Sequence, residues 1–149
     1  MTAFLVRVVS TVGFVGYLPL IPGTFGSFAA LGVYCFIADS PFLYTAVTIA
    51  VIAAGFAVSG RMERVSGRKD PGCVVIDEVA GMLLALWGVC PDIRYVVLGF
   101  VFFRILDTFK PYPAGVLQRL KGSTGIMADD LIAGVYANLV LQVIIRLAS

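Results

Sequence analysis

The sequence predicts an all-α fold: a multihelical, membrane-associated single domain over residues 1–149, with about six helices. Three observations lead there. The apolar fraction is 60% and the charged fraction 13%, against roughly 45–50% and about 25% in an ordinary soluble domain. The apolar residues come in long runs and seldom alternate with polar ones, which favours helices over half-buried strands. One run, PFLYTAVTIAVIAAGFAVS at 41–59, holds no charge at all. As a helix it spans about 28 Å, close to the hydrocarbon thickness of a bilayer. A soluble helical protein with unusually apolar helices is the alternative. The basic cluster Arg61, Arg64, Arg68 and Lys69 just after the run favours the membrane, because such a flank suits the cytoplasmic end of a span and an anionic lipid surface.

Each element follows from local chemistry. Residues 2–15 form a short first helix. Residues 17–27, rich in proline and glycine, form a loop, with Thr24 or Ser27 as candidate N-cap for a helix over 28–38. That apolar run, GSFAALGVYCFIA, is short and suits a re-entrant, interfacial or buried helix. Asp39-Ser40-Pro41 is a turn. A long helix follows over 42–66, then a polar loop over 67–73 ending in DPGC. A helix over 75–88 leads to a VCPD turn. The next helix covers 93–109 and is stopped by Pro111 and Pro113. Residues 115–120 make one or two turns, KGST is a loop, and a final helix covers 126–147. Its apolar run, LIAGVYANLVLQVII, is diluted by Asn138 and Gln142, which makes it a marginal span. No linker or low-complexity segment divides the chain.

The remaining composition narrows the chemistry. A net charge of +2 with scattered bases argues against a nucleic-acid partner. Cys35, Cys73 and Cys90 are far apart and read as free thiols behaving as small hydrophobes. Histidine is absent, which removes every mechanism built on a histidine base, nucleophile or ligand. Composition carries no signal for an oligomeric state.

Five acids stand in otherwise apolar sequence: Asp77 and Glu78, Asp107, and Asp129 and Asp130. A buried carboxylate has to be paired, protonated or bound to a cation, and within a membrane protein it is a functional candidate by default. The Asp129–Asp130 doublet also reads as a helix N-terminal signal, where acids suit the macrodipole. The stretches VIDEVAGM and MADDLIAGV echo each other. In both, a glycine (Gly81, Gly134) follows an acid (Asp77, Asp130) by one turn, leaving room for a ligand or another helix. Pairing with Arg104, Lys110, Arg119 and Lys121 is the plain structural reading of these acids. Five embedded acids against few embedded bases favour instead an all-oxygen site for a hard cation, Mg²⁺ first and Mn²⁺ as a substitute. Gly23, Thr24, Gly26 and Ser27 precede a predicted helix and could cradle a phosphate at its N-terminus. The same residues could equally form an ordinary turn and cap. Arg104, Asp107 and Lys110 step by three along one helix. A phosphate-handling enzyme fits this stock, and so does a non-enzymatic cation-binding or ion-transporting membrane protein.

Four blocks in order, GYLPLIPGTFGS, DPGCVVIDEVAG, FRILDTFKPYP and GIMADDLIAG, resemble the motifs of the phosphatidylglycerophosphatase A family. Together they run from Gly16 to Gly134. The lead-in KGSTGIM departs from the more glycine-rich one expected. The resemblance implies a multihelical Mg²⁺-dependent phosphatase of the bacterial inner membrane, with its active site on the cytoplasmic side. It would convert phosphatidylglycerophosphate, an anionic phospholipid, to phosphatidylglycerol and inorganic phosphate. Carried over by motif, Thr24, Ser27, Arg104 and Lys110 would bind phosphate. Asp77, Glu78, Asp129 and Asp130 would hold metal, and Asp107, Asp129 and Asp130 would be catalytic. Asp70 also falls in a motif.

Overall fold

The computed structural model describes residues 1–148; Ser149, the last residue of the expected unit, lies outside them. Among the described residues there is no strand. Seven α-helices follow one another: α1 (Ala3–Ser10), α2 (Pro22–Ile37), α3 (Pro41–Ser66), α4 (Ile76–Ala85), α5 (Ile93–Phe109), α6 (Ala114–Leu117) and α7 (Ser123–Ala148), with a 3-10 turn at Val15–Tyr17. The four-residue α6 is the expected short piece, so the longer helices match the expected number.

The short α4 is the axis of the molecule. It is apolar nearly all round, and α2, α3, α5 and α7 pack against it, as a helix without a polar face requires. Met82, Leu83, Ala85, Val79 and Ala80 are buried there, with Phe103, Ala133, Ala137 and Leu141 against them. Its last carbonyls, which no helical N–H can reach, are met by side chains from two other helices, α3 and α7. The Tyr44 hydroxyl donates to the Leu83 carbonyl at 2.6 Å, and Asn138 Nδ2 donates to the carbonyls of Ala85 and Trp87 at 3.0 and 2.8 Å. Just beyond, Tyr34 donates to Val89 O at 3.0 Å and Gln142 to Trp87 O at 3.3 Å. Asn138 and Gln142, which dilute the apolar run of α7, thus finish the end of α4.

Several boundaries differ from expectation for identifiable reasons. The first helix stops at Ser10, because Val12, Gly13 and Phe14 take left-handed φ of 49°, 63° and 72°. The loop expected over 17–27 ends early: Pro22 opens α2, its fixed φ being suited to a first helical position. Ile21 stands at the cap position without a side-chain bond, so neither Thr24 nor Ser27 caps the helix. The fourth helix stops at Ala85, short of Gly88, whose φ is +69°. The last helix begins at Ser123 and has no acid in its first turn. The macrodipole reading of Asp129 and Asp130 is therefore overturned, since both lie further in.

Both α3 and α7 are long and apolar enough to cross a membrane, so α7 joins α3 as a candidate span. Only 28% and 22% of their most apolar windows is buried inside the protein. Much of their apolar surface faces outward.

Candidate functional site

Three helix ends and the second turn of α7 meet at one cavity of about 320 Å³. The first turn of α2 supplies Pro22, Gly23 and Thr24, and the loop before α4 supplies Asp70, Gly72 and Val74. The first turn of α4 contributes Asp77 and Glu78, the last turns of α5 and its cap contribute Arg104, Asp107 and Lys110, and α7 contributes Ile126, Asp129 and Asp130. The two acid doublets are brought together by their glycines. A Cβ on Gly134 would run into the Gly81 carbonyl and lie 3.1 Å from its Cα, and a Cβ on Gly81 would lie 2.6 Å from the Asp130 carbonyl oxygen. The space those glycines leave is filled by the partner helix, not by a ligand.

Within the cavity, Asp77, Glu78 and Asp130 form one group: each offers an oxygen within 4.8 Å of the others. Asp129, expected beside them as a ligand, is turned toward α5, where the Lys110 ammonium donates to its Oδ2. The Arg104 guanidinium donates to Asp107 Oδ2 at 2.9 Å. The ion-pair expectation therefore holds for these two couples, whereas Arg119 and Lys121 form no ion pair with the acids among the described residues. Lys110 reaches back because its own backbone is left-handed, with φ of 45°, where α5 ends.

Burial holds the Asp77 carboxyl well above the usual carboxylate range, and the neighbouring Glu78 charge adds to the rise. Burial raises Glu78 too, against an opposing hydrogen bond from Asp77 and the Arg104 charge. Glu78 Oε2 and Asp129 Oδ1 are buried with no hydrogen-bond partner. Three converging carboxylates, one with an orphaned oxygen and none with a histidine or thiol beside it, fit a hard divalent cation.

The sequence-predicted residues are placed as follows. Thr24 and Asp70 line the cavity. Ser27 does not: it is fully buried, and its hydroxyl donates to the Gly23 carbonyl at 3.1 Å. Gly23 is the residue that sequence reasoning undervalued. A Cβ there would fall on the Glu78 carboxylate and lie 3.4 Å from Arg104 Nη1. The signal was the proline before it, which marks a helix start at which backbone can approach a side chain closely.

Residues 8–145 match the family described as phosphatidylglycerophosphatase A. The chain belongs to the phosphatidylglycerophosphatase A family. Membership places it among the phosphoric monoester hydrolases. It is 38% identical to phosphatidylglycerophosphatase A of Escherichia coli (strain K12) over 80% of this chain and 72% of the relative. It is 30% identical to phosphatidylglycerophosphatase A of Haemophilus influenzae, over 80% and 76% of the two chains. A Bacteroides thetaiotaomicron protein provisionally named a phosphatidylinositol-3-phosphatase is 33% identical over 86% of each chain. No solved structure gives a significant match. For this family member, the cavity where all four sequence blocks meet is the candidate active site.

Proposed function

We propose that the protein hydrolyses phosphatidylglycerophosphate to phosphatidylglycerol and inorganic phosphate, a step of phospholipid synthesis, with Mg²⁺ held by Asp77, Glu78 and Asp130. The observation that supports this best is the convergence of those three carboxylates beside two bases and the N-terminus of α2. A divalent cation bound there supplies charge neutralisation for the phosphate and lowers the pKa of a water it touches. Arg104 and Lys110 hold the non-bridging phosphate oxygens, the guanidinium by its two-pronged face. Thr24 and the backbone of the first turn of α2 receive the remaining oxygen. Asp129 Oδ1, buried and unpartnered, accepts the proton of the attacking water, while Lys110 holds the other oxygen of that carboxylate. Asp107 fixes the Arg104 guanidinium. The departing glycerol oxygen takes a proton from solvent, so the net reaction adds one water across the phosphoester.

Residues 1–149 act as one catalytic domain in this reading, since the cavity draws on elements from α2 to α7. Most bases surround the cavity end of the molecule; Arg94, near the start of α5, and Arg146, in the last turn of α7, stand apart. That asymmetry supports a cytoplasmic active site at the bacterial inner membrane.

The test is phosphate release by purified protein from phosphatidylglycerophosphate, with phosphatidylinositol 3-phosphate alongside because of the Bacteroides relative. Asp130→Asn should lower kcat by about 10²–10³-fold or more with unchanged helix content. Full activity in chelator, or in that variant, sinks the metal–carboxylate mechanism.

A further inference from the structure

Two exposed apolar segments, here called lips, run on in the chain from residues that line the cavity. In the first, Leu18, Leu20 and Ile21 are exposed in the loop that leads into α2. Leu20 is 95% exposed and has φ of 79°, a left-handed backbone uncommon outside glycine and found where surroundings or function hold it. In the second, Phe109 and Tyr112 are 79% and 83% exposed and bracket Lys110 in the chain; Lys110 lines the cavity. Each lip is thus continuous in the chain with the cavity wall. Exposed apolar surface of this kind, next to a polar site, marks an interaction surface.

Charge identifies the partner. Lys69 and Arg119 flank Asp70 in the adjoining depression. Arg64, Arg68 and Lys121 line the next one. Exposed apolar side chains together with these bases complement a phospholipid leaflet with anionic headgroups: the apolar side chains enter the acyl–glycerol zone while the bases meet phosphates.

We propose that Leu20, with Leu18, Phe109 and Tyr112, inserts into the leaflet at the cavity mouth and holds the glycerol–acyl part of the lipid while its phosphate reaches Arg104 and Lys110. The identity of the lipid rests on the phosphatase reading; the insertion does not. Preference for a lipid over a water-soluble phosphate ester then resides in the lips and not in the polar cavity.

Two measurements on the full chain, reconstituted in vesicles of anionic phospholipid, test this. The chain has one tryptophan, so a Leu20→Trp variant in a Trp87→Phe background reports on the lip alone. Its emission should be quenched several-fold by lipids brominated near the top of the acyl chain. Absence of quenching overturns the proposal; a shielded indole together with a dimer in detergent overturns it in favour of a second copy of the chain. The second measurement is kinetic. Leu20→Ser and Tyr112→Ser should raise KM for the diacyl ester in vesicles about tenfold, with kcat, and both constants for glycerol phosphate, unchanged. Leu20→Gly, which relieves the left-handed backbone, should behave in the same way and guards against a folding defect. Equal losses on both substrates, or none, overturn the proposal. If the wild-type protein releases phosphate from no ester, the phosphatase reading fails, and quenching alone decides the insertion.

Discussion

Gly23 shows how one missing methyl serves the site. Its backbone lies against the Glu78 carboxylate, and a Cβ would come 3.2 Å from the Glu78 Cδ. The obstruction is the end of a flexible side chain, so Gly23→Ala should displace the carboxylate without unfolding the helix. Helix propensity alone would favour alanine by about 1 kcal/mol. The expected outcome is a melting temperature unchanged or slightly raised, with kcat/KM lowered roughly 10- to 100-fold, the scale of a misplaced catalytic group. Thermal melts and steady-state phosphate release check both halves, and an unaltered kcat/KM would remove Glu78 from the machinery. Ser27 is a contrasting case. It belongs to the same motif, but its hydroxyl is spent on the Gly23 carbonyl inside α2, so its part is to shape the turn that carries Gly23 and Thr24.

The decisive pair of elements is α4 against α7. Their acid doublets share a cavity because Gly81 and Gly134 let the two backbones approach to within touching distance. Backbone cannot swing aside as a side chain can. Gly134→Ala should therefore destabilise the protein by about 1–3 kcal/mol, the scale of an overpacked core, and should lower activity by separating Asp130 from Asp77. Gly32→Ala is the control: it lies inside α2 and a Cβ there meets nothing within 4 Å. It should be neutral or stabilising by up to about 1 kcal/mol. Denaturant or thermal unfolding of the two variants side by side measures the difference, and equal stabilities would refute the close-approach argument.

For the molecule as a whole, the buried acids make stability depend on pH and on cation. Asp77 and Glu78 have folded-state values raised above the ordinary carboxylate range, chiefly by burial. The metal-free folded state therefore holds protons that the unfolded chain releases. Its stabilising contribution is complete at pH below the unfolded values and is lost as pH rises through the folded ones. In chelator, the melting temperature should fall as pH rises above the ordinary carboxylate range. A saturating divalent cation should flatten or reverse that slope, because it competes with protons for the same oxygens. Melting curves across pH, with Mg²⁺ and with chelator, read this directly; a slope indifferent to cation would count against the carboxylate site.

The helical class, the candidate span over 41–59, the full extent of α5 and the five embedded acids follow from the chain alone, because hydrophobic periodicity and the expense of burying charge are local properties of sequence. The doublets Asp77–Glu78 and Asp129–Asp130 could be singled out for the same reason. Which of these acids face one another could not be read locally. Asp129 joins Lys110 and not the other three because α5 ends in a left-handed turn that aims the ammonium at α7. The glycine one turn beyond each key acid was visible, but whether its space held a ligand or a helix was not. The packing of α4 on α7 decided that, since contacts between segments about fifty residues apart depend on how whole helices fit.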